Sequence, residues 1–91
     1  MQNDLNDLGE ALLKEFPNAC DFKCRAHYQA QCYVGPEVVR LERQLVGNAI
    51  RVTVHNQCDP VCETPEQAAT KARSFLEMYF ARFQRQLAKS V

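Results

Sequence analysis

Cys20-x3-Cys24 and Cys58-x3-Cys62 are the residues in this chain whose types and spacing most invite a chemical reading. Paired thiolates two to four residues apart hold structural zinc, so the two pairs read as halves of one four-thiolate site. Against that, positions four apart on an extended strand stand about 13 Å apart at ~3.3 Å per residue, too far to share one ion without a bend. With Cys32 the cysteines number five. An odd count argues against a complete disulfide framework and for reduced thiols in a reducing compartment. Reduced thiols are the reading adopted, with zinc at Cys20, Cys24, Cys58 and Cys62 or a disulfide between Cys58 and Cys62 as the alternatives. No cofactor is expected.

Catalysis finds less support. A cysteine nucleophile needs a base within hydrogen-bond reach. The histidines are His27 and His55, and alternation along the chain sends both to the side opposite Cys20, Cys24 and Cys32. The three glycines form no phosphate loop, no serine sits on a nucleophile elbow, and no carboxylates are paired as they would be across a cleft. The chain is expected to be no enzyme and to take no small-molecule substrate.

Lysine and arginine total 11, as do aspartate and glutamate, so no global field recruits nucleic acid or membrane. Charge must act locally. Lys23, Arg25, Arg40 and Arg51, together with His27 and His55, gather on one expected sheet face against Glu42 and, at its edge, Asp21. A second basic surface is expected on the last helix, where Lys71, Arg82, Arg85 and Lys89 fall in a narrow arc with Met78 among them. Such surfaces meet phosphates or acidic protein patches, and the plain alternative is a charged, solvated surface. Tyr33 is the one aromatic near the sheet face, so base-by-base readout of a single strand is not expected.

The elements must present these residues. Over 20–32, Cys20, Phe22, Cys24, Ala26, Tyr28, Ala30 and Cys32 alternate with Asp21, Lys23, Arg25, His27, Gln29 and Gln31, the pattern of one strand buried on one face. Before it, Asn3 or Asp4 can cap a helix whose stripe is Leu5, Leu8, Ala11, Leu12 and Phe16, ended by Pro17-Asn18. Its outer face is acidic, with Asp4, Asp7, Glu10 and Glu15 against Lys14. After the strand, Gly35-Pro36 breaks the chain, and Val39, Leu41, Arg43 and Leu45 alternate with Val38, Arg40, Glu42 and Gln44.

Gly47-Asn48 then reads as a two-residue type II′ turn. It pairs Leu45 with Ile50, Leu41 with Val54, and a misfit Arg43 with Val52, where either Arg43 snorkels to the edge, the favoured reading, or the register slips locally. The segment 58–62 reads as a loop. Thr64-Pro65-Glu66-Gln67 starts a helix by capping box and first-turn proline, running to about Lys89 with Ala68, Ala69, Ala72, Phe75, Leu76, Tyr79, Phe80, Phe83 and Leu87 on one arc.

The expected fold is a single domain, 1–91, of the α+β class: a two-layer sandwich in α-β-β-β-α order. A three-stranded antiparallel sheet would carry both helices on one face, over Cys20, Phe22, Cys24, Tyr28, Leu41, Leu45, Ile50, Val52 and Val54. Lys23, Arg25, His27, Arg40, Glu42, Arg51, Thr53 and His55 would then stay uncovered. No basic start with an apolar run occurs in 1–16, and no apolar run approaches the ~20 residues of a membrane span. The cytoplasm is the expected location.

That element order resembles the double-stranded-RNA-binding domain, and Ala68-Ala69-Thr70-Lys71-Ala72 is similar to the alanine-rich start of its second helix. The family opens that helix with a Lys-Lys-x-Ala-Lys cluster on phosphates, where this chain reads Thr64-Pro65-Glu66-Gln67-Ala68, so its binding residues are not carried over. The twin cysteine pairs share a spacing with small mitochondrial intermembrane chaperones, which place both pairs on a helical hairpin. A compact chain of this size with segregated charge also resembles phage-encoded anti-CRISPR proteins, and residues 1–16 and Thr64-Pro65-Glu66-Gln67-Ala68-Ala69 look like inhibitors of the type I-F surveillance complex. That resemblance implies a stoichiometric inhibitor in the host bacterial cytoplasm. It would dock on a multisubunit ribonucleoprotein, contact guide RNA or an acidic subunit edge, and keep target DNA from binding.

Overall fold

The computed structural model describes residues 5–45 and 47–90, residues 79–90 by their backbone alone. Helix α1 (Asp7–Glu15) is followed by strands β1 (Cys20–Arg25), β2 (Gln29–Val34), β3 (Glu37–Arg43), β4 (Ile50–Val54) and β5 (Gln57–Cys62), then helix α2 (Pro65–Ser90). The strands form one antiparallel sheet in the order β1-β2-β3-β4-β5. The α+β class therefore holds, and the expected three-stranded sheet is corrected to five strands. No described helix is long and apolar enough to cross a membrane.

Both extra strands have physical reasons for escaping notice. Residues 20–32 are two strands, with Arg25 paired to Gln29 around Ala26-His27-Tyr28. Paired residues share a face, and an odd-length loop makes their numbers equal in parity, so a period of two passes through the turn unbroken. Ala26 carries the turn at φ 49, in the left-handed region where glycine or asparagine would have signalled it. The segment 58–62, expected as a loop, is instead most of β5. Pro60 misled there: β5 is an edge strand, where a missing N–H breaks no ladder.

Gly35-Pro36 makes the two-residue β2–β3 turn, with Gly35 at φ 61. The β3–β4 register differs from expectation by two residues: Leu41 faces Val52 and Arg43 faces Ile50, leaving Leu45 in the loop at 93% exposure. Arg43 explains the shift. Its Nη2 lies 2.7 Å from Asp7 Oδ2, its Nη1 donates to the His27 carbonyl, and its backbone N–H donates to the Tyr28 carbonyl at 2.7 Å. Anchored at three points, β3 ends there.

Asn6 caps α1, its Oδ1 accepting from the Gly9 N–H at 2.8 Å, while the expected caps Asn3 and Asp4 lie outside the described residues. Leu8, Ala11, Leu12 and Phe16 are buried as the spacing requires. At the other end, Arg73 from α2 pairs with the Glu15 carboxylate, donates to the Glu15 carbonyl at 2.7 Å and lies 5.3 Å from the Phe16 ring centroid. In α2, Thr64 Oγ1 accepts from the Gln67 N–H at 3.0 Å, while Gln67 Oε1 accepts from the Glu63 N–H at 2.7 Å, one residue before the usual capping-box partner.

Alanines 68, 69 and 72 let α2 lie close on the sheet. They and Leu76 close the core over Ala30, Cys32, Val39, Leu41, Ile50, Val52, Val54 and Cys62. Phe22 and Cys24 pack at its margin, whereas Cys20, Tyr28 and Leu45, all expected inside, are exposed. For Cys20 the cause is an irregularity between Cys20 and Lys23, with Asp21 at φ 55, that breaks the alternation.

Candidate functional site: the uncovered sheet face

On the face away from the helices, register aligns side chains in rows across the strands. One row runs Lys23, Gln31, Arg40, Thr53, Cys58; the next runs Arg25, Gln29, Glu42, Arg51. At ~4.8 Å between strands, Lys23 and Arg40 start about 10 Å apart and Arg25 and Arg51 about 14 Å apart at the backbone. None of these four cations is in an ion pair among the described residues. Arg40 Nε donates to Gln31 Oε1 at 3.2 Å, and Gln29 Nε2 donates to Glu42 Oε2 at 3.2 Å. The one carboxylate in the rows is thus held by an amide, and its cross-strand neighbour Arg51 stays exposed.

Neither histidine stands in these two rows. His27 is exposed in the β1–β2 turn, edge-on to Tyr28 with ring centroids 6.2 Å apart, and its carbonyl serves Arg43. His55 occupies the β4–β5 turn at the opposite end of the sheet, at φ 55, with Nδ1 3.5 Å from Glu37 Oε1. Beside His55 the face sinks into a depression of about 430 Å³ lined by Pro36, Glu37, Val38, Arg40, Thr53 and His55.

The cysteine pairs are not brought together. Cys20 and Cys24 lie on β1 and Cys58 and Cys62 on β5, the two edges of the sheet. Four strand intervals of ~4.8 Å separate them by roughly 19 Å, which removes the geometry of a shared four-thiolate site. No group of three or more metal-ligating side chains occurs among the described residues. All five thiols are free; Cys32 and Cys62 are buried, and Cys20 and Cys58 exposed. Burial, then the neighbouring Cys20 and Cys24 thiols, pushes Cys32 up to about 12. Burial and then Asp59 raise Cys62, against the opposing pull of Lys71.

The basic stripe on α2 also changes. Lys71 Nζ sits 3.4 Å from Asp59 Oδ2 and 5.9 Å from the Phe75 ring centroid, where it ties α2 to β5 on the helix side of the sheet. Arg82, Arg85 and Lys89 lie outside the residues whose side chains are described. Of the acids expected on the outer face of α1, Asp7 pairs with Arg43 and Glu15 with Arg73, and Asp4 lies outside the described residues. The side-chain hydrogen bond from Arg43 holds the Asp7 carboxyl below the usual carboxylate range, against a smaller opposing effect of burial.

Sequence reasoning found Lys23, Arg25, Arg40 and Arg51 but missed Gln31 as the orienting partner of Arg40, and Pro36, Glu37 and Val38 as the depression's wall. The Gly35-Pro36 turn carried that signal. Read as a two-residue hairpin, it places Gln31 opposite Arg40 and Gln29 opposite Glu42. No protein-family model, no curated protein and no solved structure matches the chain.

Proposed function

We propose that this chain is a non-enzymatic binding protein of phage or mobile-element type that docks through its uncovered sheet face on a multisubunit ribonucleoprotein. In its specific form it inhibits an RNA-guided surveillance complex in the bacterial cytoplasm by keeping target DNA from binding. The observation that supports this reading is the convergence of Lys23, Arg25, Arg40 and Arg51 on one uncovered face, none of them in an ion pair among the described residues. A neutral protein that gathers four cations on one sheet face offers a local field without a global one, suited to a shaped partner rather than to nucleic acid at large. The anti-CRISPR resemblance of residues 1–16 and 64–69 supplies the partner class. Two of the α1 acids, Asp7 and Glu15, are engaged within the chain.

The test is capture of a purified type I-F surveillance complex by the wild-type chain and by the Arg25→Glu/Arg40→Glu/Arg51→Glu variant. These side chains are exposed, so the variant keeps its fold and loses capture. Undiminished capture by the folded variant removes the face as the site. Failure of the wild type, joined to a mobility shift on free RNA or DNA that collapses between low and moderate salt, replaces the inhibitor reading with a nucleic-acid-binding regulator.

A further inference from the structure

The depression beside Arg40 has a more specific use than general positive charge. Arg40 is the one cation in the rows whose side chain is oriented by the protein: Gln31 Oε1 takes its Nε, leaving the two terminal nitrogens without a partner among the described residues. A guanidinium fixed at Nε presents its remaining N–H groups as a fork, the geometry that matches two oxygens of one phosphate. Directly across the strand pair stands Thr53, whose hydroxyl can donate to a third oxygen.

Glu37 is the one carboxylate in the lining, and its Oε1 faces His55 at 3.5 Å. The pyrrolidine of Pro36 and the Val38 side chain give the wall an apolar side. A histidine in the left-handed region holds the rim at His55. Its positive φ is that of the two-residue β4–β5 hairpin turn, which fixes the rim in place.

From this we propose that the depression is a phosphate subsite, in which Arg40 grips one phosphate of a nucleic-acid strand in bidentate fashion and Thr53 hydrogen-bonds the same group. Lys23, Arg25 and Arg51 then follow flanking phosphates across the strands. The inference rests on the docking face proposed above and narrows its partner to the RNA of the complex rather than an acidic protein edge. A backbone of repeated phosphates suits cations spread at intervals of two and three strands. A carboxylate-rich peptide supplies no group that would use the Arg40 fork and Thr53 together more fully than phosphate does.

The test uses the wild-type chain and NMR titration of backbone amides and the Arg40 Nε–H at constant ionic strength, with inorganic phosphate, tetrauridylate and tetraglutamate as probes. Saturable shifts are expected at Val38, Arg40 and Thr53 with inorganic phosphate, tighter binding with tetrauridylate, and the weakest with tetraglutamate. Arg40→Gln should weaken tetrauridylate binding by roughly tenfold or more, as loss of a charge-assisted pair does, with amide dispersion unchanged. Arg40→Lys, which keeps the charge and loses the fork, should fall well short of wild type.

Tetraglutamate binding as tightly as tetrauridylate overturns the proposal in favour of an acidic protein partner. Wild-type binding by Arg40→Gln or Arg40→Lys, or linear shifts spread evenly over Lys23, Arg25 and Arg51, overturns it as well. Each of these results leaves the docking face itself to stand or fall on capture of the surveillance complex.

Discussion

Cys32 is fully buried in the sheet, and burial followed by the Cys20 and Cys24 thiols raises its pKa to about 12. An unfolded thiol ionises near ~8.5, so unfolding lets Cys32 release a proton that the folded chain retains. Because the folded pKa lies above the unfolded one, the contribution is intact below ~8.5 and is lost progressively as pH rises toward the folded value. The urea midpoint of the wild type should therefore fall between about pH 8.5 and about pH 11. Cys32→Ala starts lower, by about 1 kcal/mol for the small cavity, and declines less over the same interval. Cys62, raised by burial and then by Asp59, adds to the effect, so the double alanine variant should have the flattest profile. Parallel profiles for wild type and both variants would show that these thiols do not link folding to alkaline pH. The same burial keeps both sulfurs in the core.

At the scale of elements, α1 is short and depends on what it is tied to. Asn6 caps it, and the same side chain donates through Nδ2 to the Ala26 carbonyl at 3.0 Å and the Gln29 carbonyl at 2.8 Å, joining the helix start to the β1–β2 turn. Asn6→Ala removes both functions and should cost about 2 kcal/mol in urea unfolding, some ~1 for the cap and a similar amount for the bracing. Asn6→Asp keeps an acceptor for the Gly9 N–H but cannot donate to either carbonyl. It should lose about half as much, and wild-type stability in Asn6→Asp would mean that the bracing adds nothing. This braced turn is also where sequence reading failed. Ala26-His27-Tyr28 contains no turn-forming residue, and its odd length preserves parity, so hydrophobic periodicity could not mark it. The turns at Gly35-Pro36 and the start at Thr64-Pro65 were legible because their residues fix the backbone locally. The inward rows of β3 and β4 were legible too, since a two-residue register error leaves every side chain on its own face. What could not be read was Asp7 capturing Arg43, which is long-range, and β5 pairing despite Pro60.

For the molecule as a whole, a five-stranded sheet covered by helices on one face has a free face and two open edges, and partners could use either. Both edges carry features that oppose pairing. On β1 the irregularity at Asp21 and the exposed Lys23 distort and charge the edge, and on β5 Pro60 removes a donor and stiffens the strand. Natural sheets use such bulges, edge lysines and prolines to prevent edge-to-edge association. Blocked edges oppose docking by strand addition. The β5 block is the simpler to remove. Pro60→Val restores an N–H and a β-branched residue on an exposed strand that already displays Val61. In sedimentation velocity at ~100 µM, the wild type should run as a monomer and Pro60→Val should show a concentration-dependent dimer, since exposed flat edges template further pairing. The Pro60→Val/Val61→Lys variant, which recharges the edge, should return to monomer. A wild-type dimer, or a Pro60→Val variant that stays monomeric, would show that Pro60 does not guard this edge.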